Sequence, residues 1–140
     1  MKGTFSIRKE IEVDYRDFIS SLLVLGKDWV CGYGFIIDYY MKSYNKAKDI
    51  CVEGSFYEDI LTQMVLDGGV IDFIYVENKD SEFTTEFNLE KVEKALWKYL
   101  DEQPDDAFML AFDNIINGDY DVYDCDIVLQ YILWGECVFG

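Results

Sequence analysis

The spacing of apolar residues along this chain changes repeatedly between the two-residue period of a strand and the period of about 3.6 residues that is typical of a helix. Strand spacing is clearest over residues 70–77 and 82–87. Residues 78–81 between them have the composition of a turn, which predicts an antiparallel hairpin. Residues 4–13 also alternate. Residues 35–40 fit either a strand or a buried helical turn, and we favour the strand.

The predicted helices begin at residues whose side chains can cap backbone N–H groups. Asp14 precedes a helix that is expected to end at Gly26, and Asn88 precedes the clearest amphipathic helix of the chain. Ser55 and Glu58 have the spacing of a capping box, which predicts a helix that stops at residues 68–69.

Three more helices complete the predicted order. A short one is expected near residues 45–49, a second starts at Asp105 or Asp106, and a third starts at Asp121 or Asp124 and ends at Gly135. The sequence therefore predicts an α+β fold, with about five helices packed on a small antiparallel sheet of three or four strands.

The domain organisation is inferred from the chain length and from the scarcity of residues that are typical of linkers. The 140 residues include one proline, no Gly/Ser-rich tract and no repeat at a fixed period, so no linker divides them. Hydrophobic residues make up 51% of the chain, which is enough for a core despite the high charge. We therefore expect residues 1–140 to form a single acidic α+β domain.

Charge limits the partners that such a domain can have. The 28 Asp and Glu residues outnumber 12 Lys and Arg residues, which gives a net charge of −16. This excess repels phosphate backbones and anionic lipid, so it argues against direct nucleic-acid binding and against a membrane surface. Residues 101–140 contain ten acidic residues and no Lys or Arg. A basic protein is the expected partner.

No motif in the sequence indicates catalysis. The chain has no histidine, which excludes every triad or dyad that uses imidazole as its base. The nucleophile-elbow, Walker A and Rossmann glycine patterns are also missing. Carboxylate pairs of the kind that glycosidases use will arise by chance among 28 acidic residues, so they are not diagnostic. The sequence predicts a non-enzymatic protein without a cofactor.

Metal binding is not predicted either. Residues 119–126 are rich in aspartate, but an EF-hand starting at Asp119 would have Asp124 at the glycine position and Gln130 at the glutamate position. Aspartates that cap a helix explain this segment better. Four isolated cysteines, Cys31, Cys51, Cys125 and Cys137, form no C-x-x-C pair.

The compartment is inferred from the same cysteines and from the N-terminus. The first ten residues contain no apolar stretch typical of a signal peptide, and no apolar run is long enough to span a bilayer. We therefore expect four reduced thiols in a cytoplasmic protein.

Residues 127–140, with the sequence IVLQYILWGECVFG, resemble the C-terminal segment of a family of small acidic proteins encoded by bacteriophages and prophages. Residues 18–26, 29–31, 66–69 and 89–91 fit the general layout of that family, whereas residues 34–55 depart from it. The resemblance implies a phage origin and expression inside a bacterial host cell. It carries over no functional residues.

Small phage proteins of this size and acidity often act on host machinery, and several imitate nucleic acid. Carboxylates on a helix surface can occupy the lysines and arginines that grip phosphates, which would inhibit a nucleic-acid-binding or defence protein. The candidate binding surface is the C-terminal acidic set: Asp101, Glu102, Asp105, Asp106, Asp113, Asp119, Asp121, Asp124 and Asp126.

Two alternatives remain open. The tyrosine-rich middle of the chain could line a pocket that sequesters a small molecule, and the protein could instead be an accessory protein that self-associates into a homo-oligomer. Tyr39, Tyr40, Tyr120 and Tyr123 lie in less regular segments, which makes them candidates for interface anchors.

The end of the chain is predicted to be part of the core. Ile127, Val128, Tyr131 and Ile132 share one face of the last helix, and Gly135 permits the chain to turn back towards the domain. Phe139 is therefore expected to be buried although it is the penultimate residue.

Overall fold

Helices and one small sheet make up the computed structural model, which describes residues 12–140. In that range there are six helices and three strands. Helix α1 comprises Tyr15–Ser21, the π-helical segment Leu22–Gly26 and Lys27–Cys31. Helices α2, α3, α5 and α6 are Met41–Ile50, Tyr57–Leu66, Asp106–Ile116 and Val122–Trp134. Helix α4 comprises Leu89–Trp97 and the π-helical turn Lys98–Glu102. Strands β1, β2 and β3 are Phe35–Asp38, Ile71–Tyr75 and Thr85–Phe87.

This architecture is the predicted α+β fold. The three strands form an antiparallel sheet in the order β1–β2–β3, and the predicted hairpin joins β2 to β3. A further strand was predicted at residues 4–13. Residues 4–11 of it lie outside the described residues, and Glu12 and Val13 belong to neither a strand nor a helix.

The helix starts confirm the capping predictions in four places. Asp14, Asn88, Asp105 and Asp121 are N-caps whose side-chain oxygens accept backbone N–H groups of the first turn. The predicted capping box at Ser55 is displaced by one residue. Phe56 is the N-cap of α3, and its backbone N–H donates to Asp59 Oδ2 at 3.2 Å.

The predicted end of α1 at Gly26 is wrong, because the helix continues through that residue to Cys31. The buried residues of α1 recur every four positions: Phe18, Ile19, Leu22, Leu23, Gly26, Lys27 and Val30. A regular α-helix would rotate such a pattern off one face within a few turns. The wider π-helical segment in the middle of α1 keeps all of these residues on the core side.

Gly26 sits where α1 crosses closest to α6. A Cβ atom at this position would lie 3.2 Å from the carbonyl oxygen of Cys125 and 3.3 Å from Leu129 Cδ2. The absence of a side chain at Gly26 therefore allows α1 and α6 to approach closely here, and this glycine does not act as the helix stop that its sequence context suggested.

Helix α6 is the centre of the fold. It packs against α5, α1, α4 and β3, and eight of its thirteen residues are buried. A helix that is apolar on most sides usually lies in the interior of a fold. Val128, Tyr131 and Ile132 are buried as predicted, and Ile127 is partly buried.

The C-terminal tail folds back on this central helix. Gly135 adopts the left-handed conformation, with φ of 77°, and the chain then returns along α6. Gln130 is 1% exposed, and its Oε1 accepts the backbone N–H groups of Val138 and Phe139, each at 2.8 Å. Its Nε2 donates to the carbonyl oxygen of Phe139 at 3.1 Å. Phe139 is partly buried, in contrast to the full burial that was expected.

Candidate functional site

The structure distributes the C-terminal acidic set over the ends of three helices. Asp101 and Glu102 end α4, Asp105 and Asp106 start α5, and Asp119 and Asp121 lie between α5 and α6. These six side chains are exposed, whereas Asp113 and Asp124 are partly buried and Asp126 is buried. The carboxylates gather at the two ends of α5, which are about 16 Å apart at 1.5 Å per residue. Leu110, which is 62% exposed, lies between them.

Five members of the set accept hydrogen bonds inside the domain. Asp105 caps α5 and also accepts the hydroxyl of Tyr131. Asp113 accepts the hydroxyl of Tyr99, and burial together with this hydrogen bond raises the pKa of Tyr99 to about 12. The first turn of α6 uses Asp121 and Asp124 in a reciprocal capping box, with N–H to Oδ distances of 3.0 and 3.1 Å.

The fifth, Asp126, lies in the interior and does not contribute to an exposed surface. Its Oδ2 accepts the hydroxyl of Tyr33 at 2.7 Å, and its Oδ1 accepts Gln130 Nε2 at 2.9 Å. Burial, followed by the hydrogen bond to Asp126, raises the pKa of Tyr33 to about 12. Asp126 therefore belongs to the network that holds the C-terminal tail.

A second group of carboxylates, which sequence reasoning missed, crosses the sheet. In the β1–β2 pairing Asp38 lies opposite Asp72, and in the β2–β3 pairing Asp72 lies opposite Glu86. We call these three residues the carboxylate row. Directly opposite side chains in antiparallel strands have Cβ atoms about 4.5–5.5 Å apart, so like charges at these positions repel. No local pattern reveals the row, because it depends on the register between strands that lie far apart in the sequence.

The carboxylate row is under electrostatic strain at its centre. Burial raises the pKa of the Asp72 carboxyl, and the charges of Glu86 and Asp38 raise it further. The ammonium group of Lys91 lies close to Glu86, but its Nζ donates to Thr85 Oγ1 at 2.6 Å. Burial lowers the pKa of Lys91.

Internal ion pairing is sparse in this acidic domain. Among pairs with both partners in residues 12–140, the two ion pairs both involve Lys27, whose Nζ lies 2.8 Å from Asp28 Oδ1 and 3.9 Å from Glu58 Oε1. Lys27 is 5% exposed, and its ammonium group also lies 5.4 Å from the ring centroid of Tyr57. The cations of the described chain therefore leave most carboxylates uncompensated.

The tyrosine-rich middle packs largely on itself. The rings of Tyr39, Tyr44 and Tyr57 contact one another with centroid distances of 5.2–6.2 Å, and Tyr57 donates its hydroxyl to that of Tyr39 at 2.8 Å. Tyr40, in contrast, is 79% exposed. Tyr123 is also exposed, and its ring makes an edge contact with Trp29 at 5.4 Å.

An apolar groove lies between the start of α1 and the end of α4. Its volume is about 450 Å³, which falls within the range of small-molecule sites. Its lining includes four apolar residues together with two glutamates and a tyrosine: Leu96, Leu100, Phe112, Ile116, Glu12, Glu93 and Tyr15. Burial, followed by the charge of Glu93, raises the pKa of Tyr15.

Within residues 12–140, no group of three or more cysteine or acidic side chains is arranged to hold a metal ion. No helix in this range combines the length and the apolar character that crossing a bilayer requires. Cys31, Cys51, Cys125 and Cys137 are all free thiols.

Comparison of the whole chain with protein-family models, with curated protein sequences and with solved structures finds no match.

Proposed function

We propose that this chain is a non-enzymatic acidic binding protein of phage origin that acts in the cytoplasm of a bacterial host. It presents carboxylates to a basic protein and occupies the lysines and arginines that would otherwise grip nucleic-acid phosphates. In this role the protein is an inhibitor that imitates nucleic acid, and its target is a nucleic-acid-binding or defence protein.

The observation that carries the proposal is the exposed charge around α5, where Glu102, Asp106 and Asp119 form no ion pair with another residue of 12–140. Glu102, Asp106 and Asp119 are exposed at the two ends of this helix, and residues 101–140 contain no Lys or Arg. Exposed charge that is not neutralised within the domain attracts a cationic partner over about 10 Å at 0.1 M salt. It therefore favours fast association with a basic protein.

The remaining members of the C-terminal acidic set contribute differently to this proposal. Because Asp113 and Asp124 already accept internal hydrogen bonds, they fix the positions of α5 and α6 more than they attract a partner. Substituting them would damage the fold and the surface together. A test of binding must therefore use the exposed carboxylates that have no structural role.

The test begins by capturing partners from host lysate on the immobilised protein and eluting them with duplex DNA. Duplex DNA competes for the same lysines and arginines, so a partner of the proposed kind is released. The association rate of the purified partner is then measured at increasing salt for wild type and for a triple variant, Glu102→Gln with Asp106→Asn and Asp119→Asn. The rate should fall steeply with salt, and the variant should bind several-fold more slowly.

A matched control separates local from general charge effects. The variant Glu53→Gln with Asp67→Asn and Glu90→Gln removes the same number of exposed carboxylates elsewhere on the domain. It should bind faster than the first variant. Equal rates for the two variants, or an affinity that does not respond to salt, would contradict the proposal.

The apolar groove supports a second candidate function, the sequestration of a small molecule. Its apolar lining and its two glutamates suit an apolar ligand with a cationic group. Hydrophobic ammonium compounds should then raise the melting temperature of the wild-type protein and should not raise that of a Leu100→Arg variant. Equal shifts in both proteins would exclude this groove as the site.

A further inference from the structure

The two faces of the sheet differ in exposure: one is largely buried, and the opposite, outer face is exposed or partly buried among the described residues. Phe35, Ile71, Phe73 and Phe87 point to the core and are buried. On the opposite face Ile36 is 55% exposed and Val76, just beyond β2, is 60% exposed. Ile74 lies opposite Ile36 in the register and is partly buried. We define the outer sheet face as these three apolar residues together with the carboxylate row.

The apolar residues and the carboxylates of the outer sheet face would be stabilised by different groups of a binding partner. The apolar residues would be stabilised by contact with apolar groups that remove them from water. The carboxylate row would be stabilised by cations, because its members lie directly opposite one another and repel. No Lys or Arg among the described residues makes an ion pair with the row.

The spacing of the three carboxylates indicates which secondary structure of a binding partner would fit them. Neighbouring strands are about 4.8 Å apart, so the row places three carboxylates at steps of about 5 Å over a length of about 10 Å. On a helix, residues at i, i+4 and i+7 rise by about 6 Å and about 10.5 Å from the first residue. In an extended strand, side chains on one face repeat every 6.6–6.8 Å or so. The side-chain spacing of a helix therefore matches the spacing of the carboxylate row better than that of a strand does.

We infer that the outer sheet face docks a basic amphipathic helix of the partner protein, which lies across the three strands with Lys or Arg side chains on the carboxylate row and an apolar side chain on Ile36, Ile74 and Val76. This inference rests on the proposed function, because it specifies which element of the basic partner is recognised. The raised pKa of Asp72 is consistent with it, since a cation nearby would restore the ordinary ionisation of that carboxyl.

The test uses a synthetic helical peptide with Lys at positions i, i+4 and i+7 and Leu beside them. A second peptide has the same composition, with its lysines distributed around the helix. Binding of both to the full-length protein is measured by fluorescence anisotropy. The ordered peptide should bind about tenfold more tightly than the scrambled one, because only the ordered peptide aligns its charges with the row.

Three variants locate the contact. Asp38→Asn with Glu86→Gln should weaken binding of the ordered peptide about tenfold, and Ile36→Ser should weaken it several-fold. Glu102→Gln with Asp106→Asn removes the same charge on another surface and should have an effect of less than about threefold. Melting curves verify that each variant is folded.

Two results would overturn the inference. The first is equal weakening by the two double variants, which would mean that net charge alone attracts the peptide. The second is unchanged affinity for Ile36→Ser, which would mean that the apolar residues take no part. Either result leaves the proposed function standing if binding of the basic partner still depends on salt and on the carboxylates at α5. Loss of that dependence would remove the proposed function itself.

Discussion

Deleting residues 136–140 should destabilise the domain strongly, although the deletion removes only five residues at the end of the chain. Gln130 binds the tail through both atoms of its carboxamide and is 1% exposed. The deletion removes both N–H donors of the Gln130 Oε1. Each lost hydrogen bond costs about 0.5–1.5 kcal/mol, which gives about 1–3 kcal/mol for the two.

The aromatic contacts of the tail add a second contribution. The Phe139 ring packs against the rings of Tyr33, Phe35, Phe83 and Trp134, with centroid distances of 5.2–5.6 Å. Full burial of a Phe or Val side chain contributes about 1.5–3 kcal/mol, so partial burial of Val138 and Phe139 contributes roughly half of that each. Together with the loss at Gln130, the free energy of unfolding should fall by about 3–5 kcal/mol.

The assay is thermal melting followed by circular dichroism, supported by urea titration. For a domain of this size, a loss of 3–5 kcal/mol lowers the melting temperature by roughly 10–20 °C. Gln130→Ala in the full-length chain should reproduce much of the loss, because it removes the same hydrogen bonds. Cys137→Ser is the control, since the Cys137 side chain is exposed and should tolerate the change.

The result that would refute this reasoning is an unchanged melting temperature in the truncated protein. If light scattering also showed that the truncated protein had lost self-association, the tail would be a dimerisation peptide and not a part of the core.

Three further predictions concern the sheet, the helix crossing and the thiols. Asp72→Asn should raise the free energy of unfolding at neutral pH by about 0.5 kcal/mol, because it removes repulsion within the carboxylate row. The pKa of Asp72 is raised in the folded state, so wild type should lose stability as pH rises through that pKa, and urea titrations of the variant should lack this loss. Gly26→Ala should lower the free energy of unfolding in the same assay by about 1 kcal/mol after the gain in helix propensity, because its Cβ would press on the backbone of α6, and a raised midpoint would contradict the close crossing. Thiol titration should find four free thiols in denaturant, whereas Cys125, which is buried and has its pKa raised to about 12, should be unreactive in the native protein. Fewer than four would indicate a disulfide.

The features that the sequence predicted correctly are those that local chemistry determines. Asp14, Asn88, Asp105 and Asp121 cap their helices because an acceptor side chain at the N-cap satisfies backbone groups two or three residues away. The β2–β3 hairpin was also predictable, since its strands are close in sequence and a turn-like segment separates them.

The features that could not be predicted depend on contacts between distant segments. Gly26 has the local context of a helix end, but its role is set by the approach of Cys125 and Leu129, about a hundred residues later. Asp126 follows several exposed aspartates in the sequence, and only the packing of α6 places it inside. The carboxylate row requires the β1–β2 register, which the sequence pattern does not specify.

The π-helical segment in α1 has a consequence for how the length of this chain can vary. A π-helical turn contains one residue more than the α-helical turn that could replace it. The surplus lies on the solvent side, where Val24 is 50% exposed and Leu25 is 36% exposed. Removing Val24 would bring the apolar residues before and after it to the three- and four-residue spacing of a regular α-helix, so both ends of α1 would keep their core contacts. A chain shorter by this residue should retain its helical circular dichroism and cooperative melting, whereas removal of the buried Leu22 or Leu23 should lower the melting temperature, because a core side chain is lost as well. We therefore expect α1 to tolerate the loss of one residue on the solvent side of this π-helical turn.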